Sequence, residues 1–309
     1  MGMGMGMGMG MGMGMGMGMG MGMGMGMGMA PFSAVPPELG ARYLTLQYTL
    51  GPNSPPSFPT GILPPEQWKE GPWDPDVLAL RFLPEFVRTD WDKIKLHQLI
   101  QGTADAHLLD WDLGRGKTQA ENFVEAEVEY LQELMQNDRE RYLPEILIQH
   151  DNAPAYWGAL LALDHSTYPK TFQVLNLAVR IGQIVAAYYK WKYKRPRPSY
   201  VCPGLLPPYG PPAHTSFPSG HALQSWLLTG LLTKVAPKFK EELKWLAERV
   251  ATNRERAGLH YRSDSRAGEI IAEQCVRLID HYCPDISCLI TQAHDEEWKD
   301  KPIPNTPIV

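Results

Sequence analysis

Three short segments of the sequence carry charged and hydroxyl side chains whose types fit one chemistry, the handling of an oxyanion. Two arginines and a lysine supply the positive charge and the hydrogen-bond donors that a phosphate-like anion needs. Each charge-assisted hydrogen bond is worth about 1.5–3 kcal/mol, so several together hold a small anion tightly. The residues of the three segments, in chain order, are Lys190, Arg197 and Pro198; Pro218, Ser219, Gly220 and His221; and Arg254, His260 and Asp264.

The second segment lies in "TSFPSGHALQ", residues 215–224, at the start of an apolar helical run. A Ser219 hydroxyl and the bare backbone N–H of Gly220 are suitable donors to an anion, and a helix start adds partial positive charge. Ser219 alone would be explained as a helix N-cap. We expect the atoms that cap this helix also to bind the anion.

The two histidines would supply the reaction chemistry, one as a proton donor and the other as a nucleophile or ligand. Asp264 follows His260 by four residues, about one helical turn, and is placed to fix the tautomer of that histidine through its far ring nitrogen. Each residue taken alone has a simpler explanation, such as a surface charge for Lys190 or Arg254. Ten specified positions in order, at roughly one in twenty each, make a coincidence improbable.

Helices must position these segments, because no stretch outside the N-terminal repeat shows the alternation of a β-strand. Prolines recur through residues 195–212 and exclude a helix there, which predicts a rigid ordered loop. Pro144 is expected to interrupt the chain before a further short apolar stretch. The predicted helices cover residues 121–136, 171–193, 220–235, 238–253 and 264–282.

The chain divides into three parts by composition. Residues 1–29 are a repeat of Met-Gly pairs ending in Met, which we interpret as artificial and exclude from the folding argument. Residues 30–80 are rich in proline and predict an irregular N-terminal arm. Residues 81–309 predict a single all-α catalytic domain, long enough to bury a substantial core.

Charge and composition exclude several classes of protein. The net charge of −5 argues against a nucleic-acid-binding protein, which would be basic. No run after residue 30 reaches 18 apolar residues, so we expect no membrane span and a soluble protein. Four cysteines without metal-type spacing favour free thiols over a disulfide framework. A replaced N-terminus leaves open whether the protein is cytoplasmic or secreted.

The three segments resemble the signature of the type 2 phosphatidic acid phosphatase and vanadium haloperoxidase superfamily. The resemblance is close over about residues 190–264, and the helical run from about 120 to 282 is compatible with the family's α-helical bundle. One departure is Asn253, where the third motif usually carries serine. That position is not one of the anion ligands.

The resemblance implies a role for each motif residue. His221 would be the acid/base residue, and His260 would be either the nucleophile of a phosphatase or the axial ligand of vanadate. The residues implied to bind the oxyanion are Lys190, Arg197, Ser219, Gly220 and Arg254.

Within this superfamily the sequence favours a vanadate-dependent haloperoxidase that oxidises bromide or iodide, rather than chloride, with hydrogen peroxide. In that reaction Lys190 would polarise the bound peroxide. His214 and Gln224 are similar to the bromoperoxidase pattern, which places His214 as a residue that tunes halide or substrate selection.

Two other functions remain open. The first alternative is a soluble acid phosphatase that acts on a phosphate ester through a phosphohistidine and needs no vanadate. A non-catalytic oxyanion-binding protein is the second, although it would not need both histidines. The expected partners are therefore hydrogen peroxide, halide and an organic acceptor, or a phosphate ester, and homo-oligomer formation is left open.

Overall fold

A computed structural model of the chain describes residues 74–112 and 117–300. Within these ranges the regular structure is entirely helical, which confirms the prediction of an all-α fold. The predicted Met-Gly repeat and most of the Pro-rich arm lie outside the described residues. The last part of the predicted arm includes the helix Pro75–Leu80.

Twelve α-helices are formed by the described residues. They are α1 Pro75–Leu80, α2 Leu83–Val87, α3 Leu96–Ile100, α4 Lys117–Asn137, α5 Arg139–Asn152, α6 Pro154–Leu160, α7 Pro169–Tyr193, α8 Pro198–Val201, α9 Gly220–Val235, α10 Lys240–Arg256, α11 Arg262–Tyr282 and α12 Pro284–Ala293. Short 3₁₀ turns lie at Trp91–Lys93, Ala106–Leu109, Pro203–Leu205 and Pro237–Phe239, and a π-helical turn lies at His294–Trp298.

Helix α9 is the centre of the core and packs against α7, α10 and α11. It is apolar on almost every face, so most of its side chains are buried, as expected of a helix surrounded by others. Gly268 of α11 permits a close approach to the backbone of α9. A Cβ at this position would lie 2.9 Å from the backbone nitrogen of Leu223 and 3.0 Å from the carbonyl oxygen of Ser219. Helix α11 therefore presses directly on the first turn of α9, where the second motif lies.

The long helices agree with the sequence expectations to within a few residues, but the prediction for Pro144 was wrong. Helix α5 continues through Pro144, although an internal proline removes one backbone hydrogen bond and costs about 3 kcal/mol. Further along the same helix Ile146 is buried, and the buried Gln149 side chain accepts a hydrogen bond from Asn253 of α10, so tertiary contacts hold the helix beyond the proline. The packed face of the helix outweighs its local propensity.

The loop prediction for residues 195–212 needs a smaller correction. Pro198 begins the single helical turn α8, and a 3₁₀ turn follows at Pro203–Leu205. Proline is favoured at the first position of a helix because its missing N–H would have had no partner there. The remaining residues of this segment are irregular, as the sequence predicts.

No helix in the described parts of the chain combines the length and apolar character needed to cross a membrane. All four cysteines lie in these parts and are free thiols, as the sequence favoured.

Candidate active site

One small cavity collects side chains from all three motifs. Its volume is about 10 Å³, roughly the space needed by one water molecule. Five of its lining residues were singled out from the sequence, namely Arg197, His214, His221, Arg254 and His260. The others are His150, Tyr209, Pro212 and Leu259.

His260 lies between helices α10 and α11 and is almost completely buried. Its Nδ1 atom is 3.2 Å from Oδ2 of Asp264, and its Nε2 atom is 3.3 Å from Nη1 of Arg197. Because the Asp264 carboxylate can only accept, it places the ring proton on Nδ1, and the lone pair of Nε2 then accepts from Nη1 of Arg197 in the cavity wall. Burial, together with the nearby Arg197 charge, lowers the pKa of His260 well below its usual value.

Asp264 is held in the first turn of α11 by several donors. Its Oδ2 atom accepts hydrogen bonds from the Ser216 hydroxyl and from the backbone N–H of Tyr261. Burial acts to raise the pKa of Asp264, but the Arg195 guanidinium and His260 hold it well below its usual range. Asp264 therefore caps α11 and orients His260 at the same time.

Arg197 precedes α8 and donates mainly to backbone carbonyls. Its Nε donates to the carbonyl of His214 at 3.0 Å, and its Nη1 donates to the carbonyl of Leu259 at 2.9 Å. Burial lowers the pKa of Arg197 to about 10, so this side chain stays cationic at neutral pH. The charge is thereby fixed beside Nε2 of His260.

Arg254 near the end of α10 is also buried in the cavity wall. It donates from Nη1 to the Tyr209 hydroxyl at 2.8 Å and from Nη2 to the carbonyl of Ile146 at 2.9 Å. Its Nε atom is buried without a hydrogen-bond partner. Since buried donors are rarely left unpaired, this atom is a natural donor to a ligand.

His221 projects from the first turn of α9. Its Nε2 atom lies 3.2 Å from the carbonyl oxygen of Gln149 in α5. Burial and the nearby charge of Arg254 lower the pKa of His221 well below its usual value. The ring therefore borders the cavity on the side of α5, while His260 borders it on the side of α11.

Ser219 is the N-cap of α9, as the simpler sequence interpretation expects. Its Oγ accepts from the backbone N–H of Ala222 at 3.4 Å, and its own N–H donates to the carbonyl of Asp264 at 3.0 Å. Ser219 and Gly220 are buried directly before His221, but they are not among the cavity-lining residues.

Lys190 has a structural role that the sequence did not indicate. Its ammonium group donates to the carbonyls of Thr215, Ser216 and Pro218 at 3.0, 2.8 and 2.6 Å. These three bonds use all three of its donors. Lys190 thus ties down the loop before α9, and it does not line the cavity.

His214 lies in the cavity wall, whereas Gln224 does not. Nδ1 of His214 is 3.0 Å from Nη2 of Arg197, and its Nε2 is buried without a partner. Burial, with the charges of Lys190 and Arg197, lowers the pKa of His214 to about 4. Gln224 instead donates to the carbonyl of Val179 in α7, at 3.1 Å.

Sequence reasoning missed the side of the cavity formed by α5 and by the proline-rich loop. The rings of His150 and Tyr209 lie against each other with their centroids 4.0 Å apart. Gln149 accepts from Asn253 at 3.0 Å through its side chain, while its backbone carbonyl faces His221. His150, Gln149 and Tyr209 belong to none of the motifs. The interruption expected at Pro144 hid the helix that carries His150 and Gln149.

The arrangement combines a buried neutral imidazole, fixed positive charge and a second histidine around one cavity, which suits attack on a phosphorus-like centre. Within the described ranges no group of three or more histidine, cysteine or acidic side chains is arranged to hold a metal cation.

Comparison with known proteins finds a family similarity in the segment that carries the motifs. A search of curated proteins finds no match. Among solved structures, a similar chain is the first transmembrane PAP2 type phosphatidylglycerolphosphate phosphatase from Bacillus subtilis, with 18% identity, coverage of 68% of this chain and 95% of that chain, and a TM-score of 0.29. Residues 173–285 match the family model of the PAP2 superfamily. This match spans all three motifs, from Lys190 to Asp264, so the motif-bearing segment of the chain is similar to the PAP2 superfamily.

Proposed function

We propose that the protein hydrolyses phosphomonoesters through a phosphohistidine formed at Nε2 of His260. The observation that carries the proposal is the orientation of this ring, with Nδ1 on Asp264 and Nε2 beside Arg197 at the cavity. The similarity of residues 173–285 to the PAP2 superfamily supports phosphatase-type activity.

Arg197 and Arg254 would bind the phosphoryl oxygens. Both are buried cations on the cavity wall, and Nε of Arg254 has no other partner. The positive end of α9, at Ser219 and Gly220, would add a favourable potential, although neither residue lines the cavity. Lys190 would act by holding the loop that presents them, through its three bonds to backbone carbonyls.

In the first step the lone pair of His260 Nε2 attacks phosphorus, and the bond from phosphorus to the ester oxygen breaks. The leaving oxygen takes the bond electrons and receives a proton from His221. In the second step water attacks the phosphohistidine, gives a proton to the now neutral His221, and the N–P bond breaks. Inorganic phosphate leaves, and both histidines return to their starting protonation states.

The pKa directions agree with these roles in an acidic medium. Burial lowers the pKa of both histidines. A low pKa keeps His260 neutral and nucleophilic below the ordinary histidine value of about 6.5, and it makes protonated His221 a strong acid. The predicted enzyme is therefore an acid phosphatase.

Substrate entry requires a movement at the outer wall. A phosphoryl group with its oxygens is larger than one water molecule, whereas the cavity has a volume of about 10 Å³. The His150 and Tyr209 rings contact each other at a tilt in the cavity wall, and the Tyr209 hydroxyl occupies a donor of Arg254. Separation of this pair would open the cavity and release the Arg254 donor to the substrate.

A vanadate-dependent haloperoxidase is the second candidate. His214 lies in the cavity wall with an unpaired Nε2, which favours a role near the reacting group. Arg197, Arg254 and His260 Nε2 would hold vanadate, and bound vanadate would supply Lewis-acid activation of peroxide. Lys190 does not fit this chemistry, because the side chain expected to polarise peroxide has all its donors on carbonyls.

Two parallel assays test the proposal. The first measures phosphate release from p-nitrophenyl phosphate and from an alkyl phosphate, and the second measures bromination of a phenol dye with vanadate, peroxide and bromide. We expect phosphate release that is lost in His260→Ala and retained in His281→Ala, which changes an exposed histidine of α11. Bromination without phosphate release would overturn the proposal in favour of the haloperoxidase.

A further inference from the structure

A buried chain of charges lies behind His260, on the side away from the cavity. Glu127 of α4, Arg195 of the loop after α7, and Asp264 of α11 form two consecutive ion pairs. All three side chains are at least nine-tenths buried. Glu127 and Arg195 belong to none of the three motifs, and Glu127 lies outside the PAP2 match.

We propose that Glu127 and Arg195 are positioning residues that hold Asp264, and through it the Nδ1–H tautomer of His260. The inference rests on the proposed role of His260 as the nucleophile. It assigns a function in the reaction to α4, whose sequence shows only an amphipathic helix.

The geometry of Arg195 fits this role. Nη1 of Arg195 donates to Oδ1 of Asp264 at 2.8 Å, while Nη2 donates to Oε2 of Glu127 at 2.6 Å. Oδ1 is thereby occupied, and Oδ2 is left to accept from His260. Arg195 thus fixes which carboxylate oxygen faces the imidazole, together with the Ser216 hydroxyl and the Tyr261 N–H that donate to Oδ2.

Ser263 also belongs to this network, because it contacts both Arg195 and Glu127. Its hydroxyl accepts from Arg195 Nη1 at 2.7 Å and donates to Oε2 of Glu127 at 2.9 Å, and its backbone N–H donates to Oε1 of Glu127 at 2.8 Å. Because Ser263 directly precedes Asp264, Glu127 fixes both the guanidinium and the backbone that carries the carboxylate. One residue of α4 therefore constrains the first turn of α11.

The plane of the guanidinium is fixed as well. Arg195 lies over the Tyr261 ring at 3.7 Å and over the Trp111 ring at 4.9 Å from the respective centroids. Stacking on aromatic faces, together with two ion pairs in one plane, restricts a guanidinium in a way that a lysine ammonium cannot reproduce. Outer partners of this kind typically alter activity by 10- to 100-fold when they are removed.

Two size-conserving variants test the inference. Arg195→Lys keeps the charge but cannot reach both carboxylates, and Glu127→Gln keeps the shape but removes the charge. Glu297→Gln is the matched control. Glu297 is a buried carboxylate that accepts from the N-terminal backbone of α7, at Lys170 and Thr171, and does not line the cavity.

We expect kcat for alkyl phosphate hydrolysis to fall about 10- to 100-fold in Arg195→Lys, and less in Glu127→Gln. KM and the inhibition constant of inorganic phosphate should change less than about twofold, because Arg197 and Arg254 remain. Glu297→Gln should lower the melting temperature and leave kcat of the folded enzyme unchanged. Equal loss of kcat in all three variants, or no loss in Arg195→Lys, would overturn the inference.

A second measurement is independent of activity. In protein labelled with ¹⁵N-histidine, the His260 signals, identified by their absence from His260→Ala, should show the Nδ1–H tautomer in the wild type. They should show a mixture of tautomers in Arg195→Lys, and the wild-type tautomer in Glu297→Gln. An unchanged tautomer in Arg195→Lys would refute the positioning role. If the wild type releases no phosphate, the proposed function fails, while this spectrum still decides the positioning role.

Discussion

The two sides of the His260 ring differ in how completely their polar atoms are paired. Behind Nδ1, both oxygens of Asp264 accept hydrogen bonds, and Arg195 joins this carboxylate to that of Glu127. In front of Nε2, the buried Nε of Arg254 and Nε2 of His214 have no partner.

This difference separates a rigid support from a binding surface. An unpaired buried donor costs about 1–3 kcal/mol, so a fold retains few of them without a reason. A fully paired network of charges holds its members in one geometry. We infer that changes in front of the ring affect substrate binding and proton transfer, whereas changes behind it affect the orientation of the nucleophile.

The largest effect in front of the ring, apart from loss of His260 itself, is expected for His221→Ala. Loss of the proton donor should lower kcat for an alkyl phosphate by about 10²- to 10⁴-fold. The loss should be much smaller for p-nitrophenyl phosphate, whose leaving group needs no proton. Steady-state hydrolysis of both esters gives the comparison, and an equal loss on both would remove His221 from the role of general acid.

Arg254→Ala should have the next largest effect. Loss of charge-assisted bonds worth about 1.5–3 kcal/mol should weaken the binding of inorganic phosphate about 10- to 100-fold. The inhibition constant of phosphate measures this directly, with Arg277→Ala, an exposed arginine of α11, as the control. Equal inhibition of Arg254→Ala and the wild type would show that the unpaired Nε atom does not face the anion.

The pH dependence follows from the lowered pKa values in front of the ring. His221 must be protonated to act as an acid, so kcat/KM should fall as the pH rises through and above the lowered pKa, by up to tenfold per unit. The lowered pKa of His260 keeps this ring neutral at every pH above it. The wild-type profile should be higher at about pH 5 than at about pH 7.5, and His221→Ala should flatten it. A wild-type maximum above neutral pH would contradict the assignment.

Tyr209→Phe should produce the smallest change and in the opposite direction. The variant removes the hydroxyl that occupies Nη1 of Arg254 but keeps the ring on His150. Phosphate should bind about two- to tenfold more tightly, because one displaced hydrogen bond has a net worth of about 0.5–1.5 kcal/mol. Weaker phosphate binding in this variant would show that the hydroxyl contacts the anion instead of competing with it.

The sequence predicts the long helices well because their apolar residues recur over many turns. The bounds of α9, Gly220–Val235, are those expected from the pattern. Helix α5 was missed because local propensity at Pro144 argues against it, and only its packing in the fold reverses that argument. Short helices such as α6 and α12 carry too few turns for a clear pattern.

For the site, the motifs and the bromoperoxidase-like His214 identify five residues that line one cavity, but they do not reveal what each atom contacts. The donors of Lys190 face carbonyls of a loop 25 to 28 residues away, which no local pattern encodes. Glu127 and Arg195 meet across 68 residues for the same reason. Motif spacing predicts the residue types that chemistry needs, whereas the partners of each atom depend on the three-dimensional packing.

Rapid-quench trapping of the enzyme during hydrolysis tests the central claim most directly. We predict one phosphoryl group that is labile in acid and stable in alkali, located by mass spectrometry on the peptide containing His260 and absent from His260→Ala. Substrate turnover with no phosphoenzyme at any time point, or with the phosphoryl group on another side chain, would contradict the account.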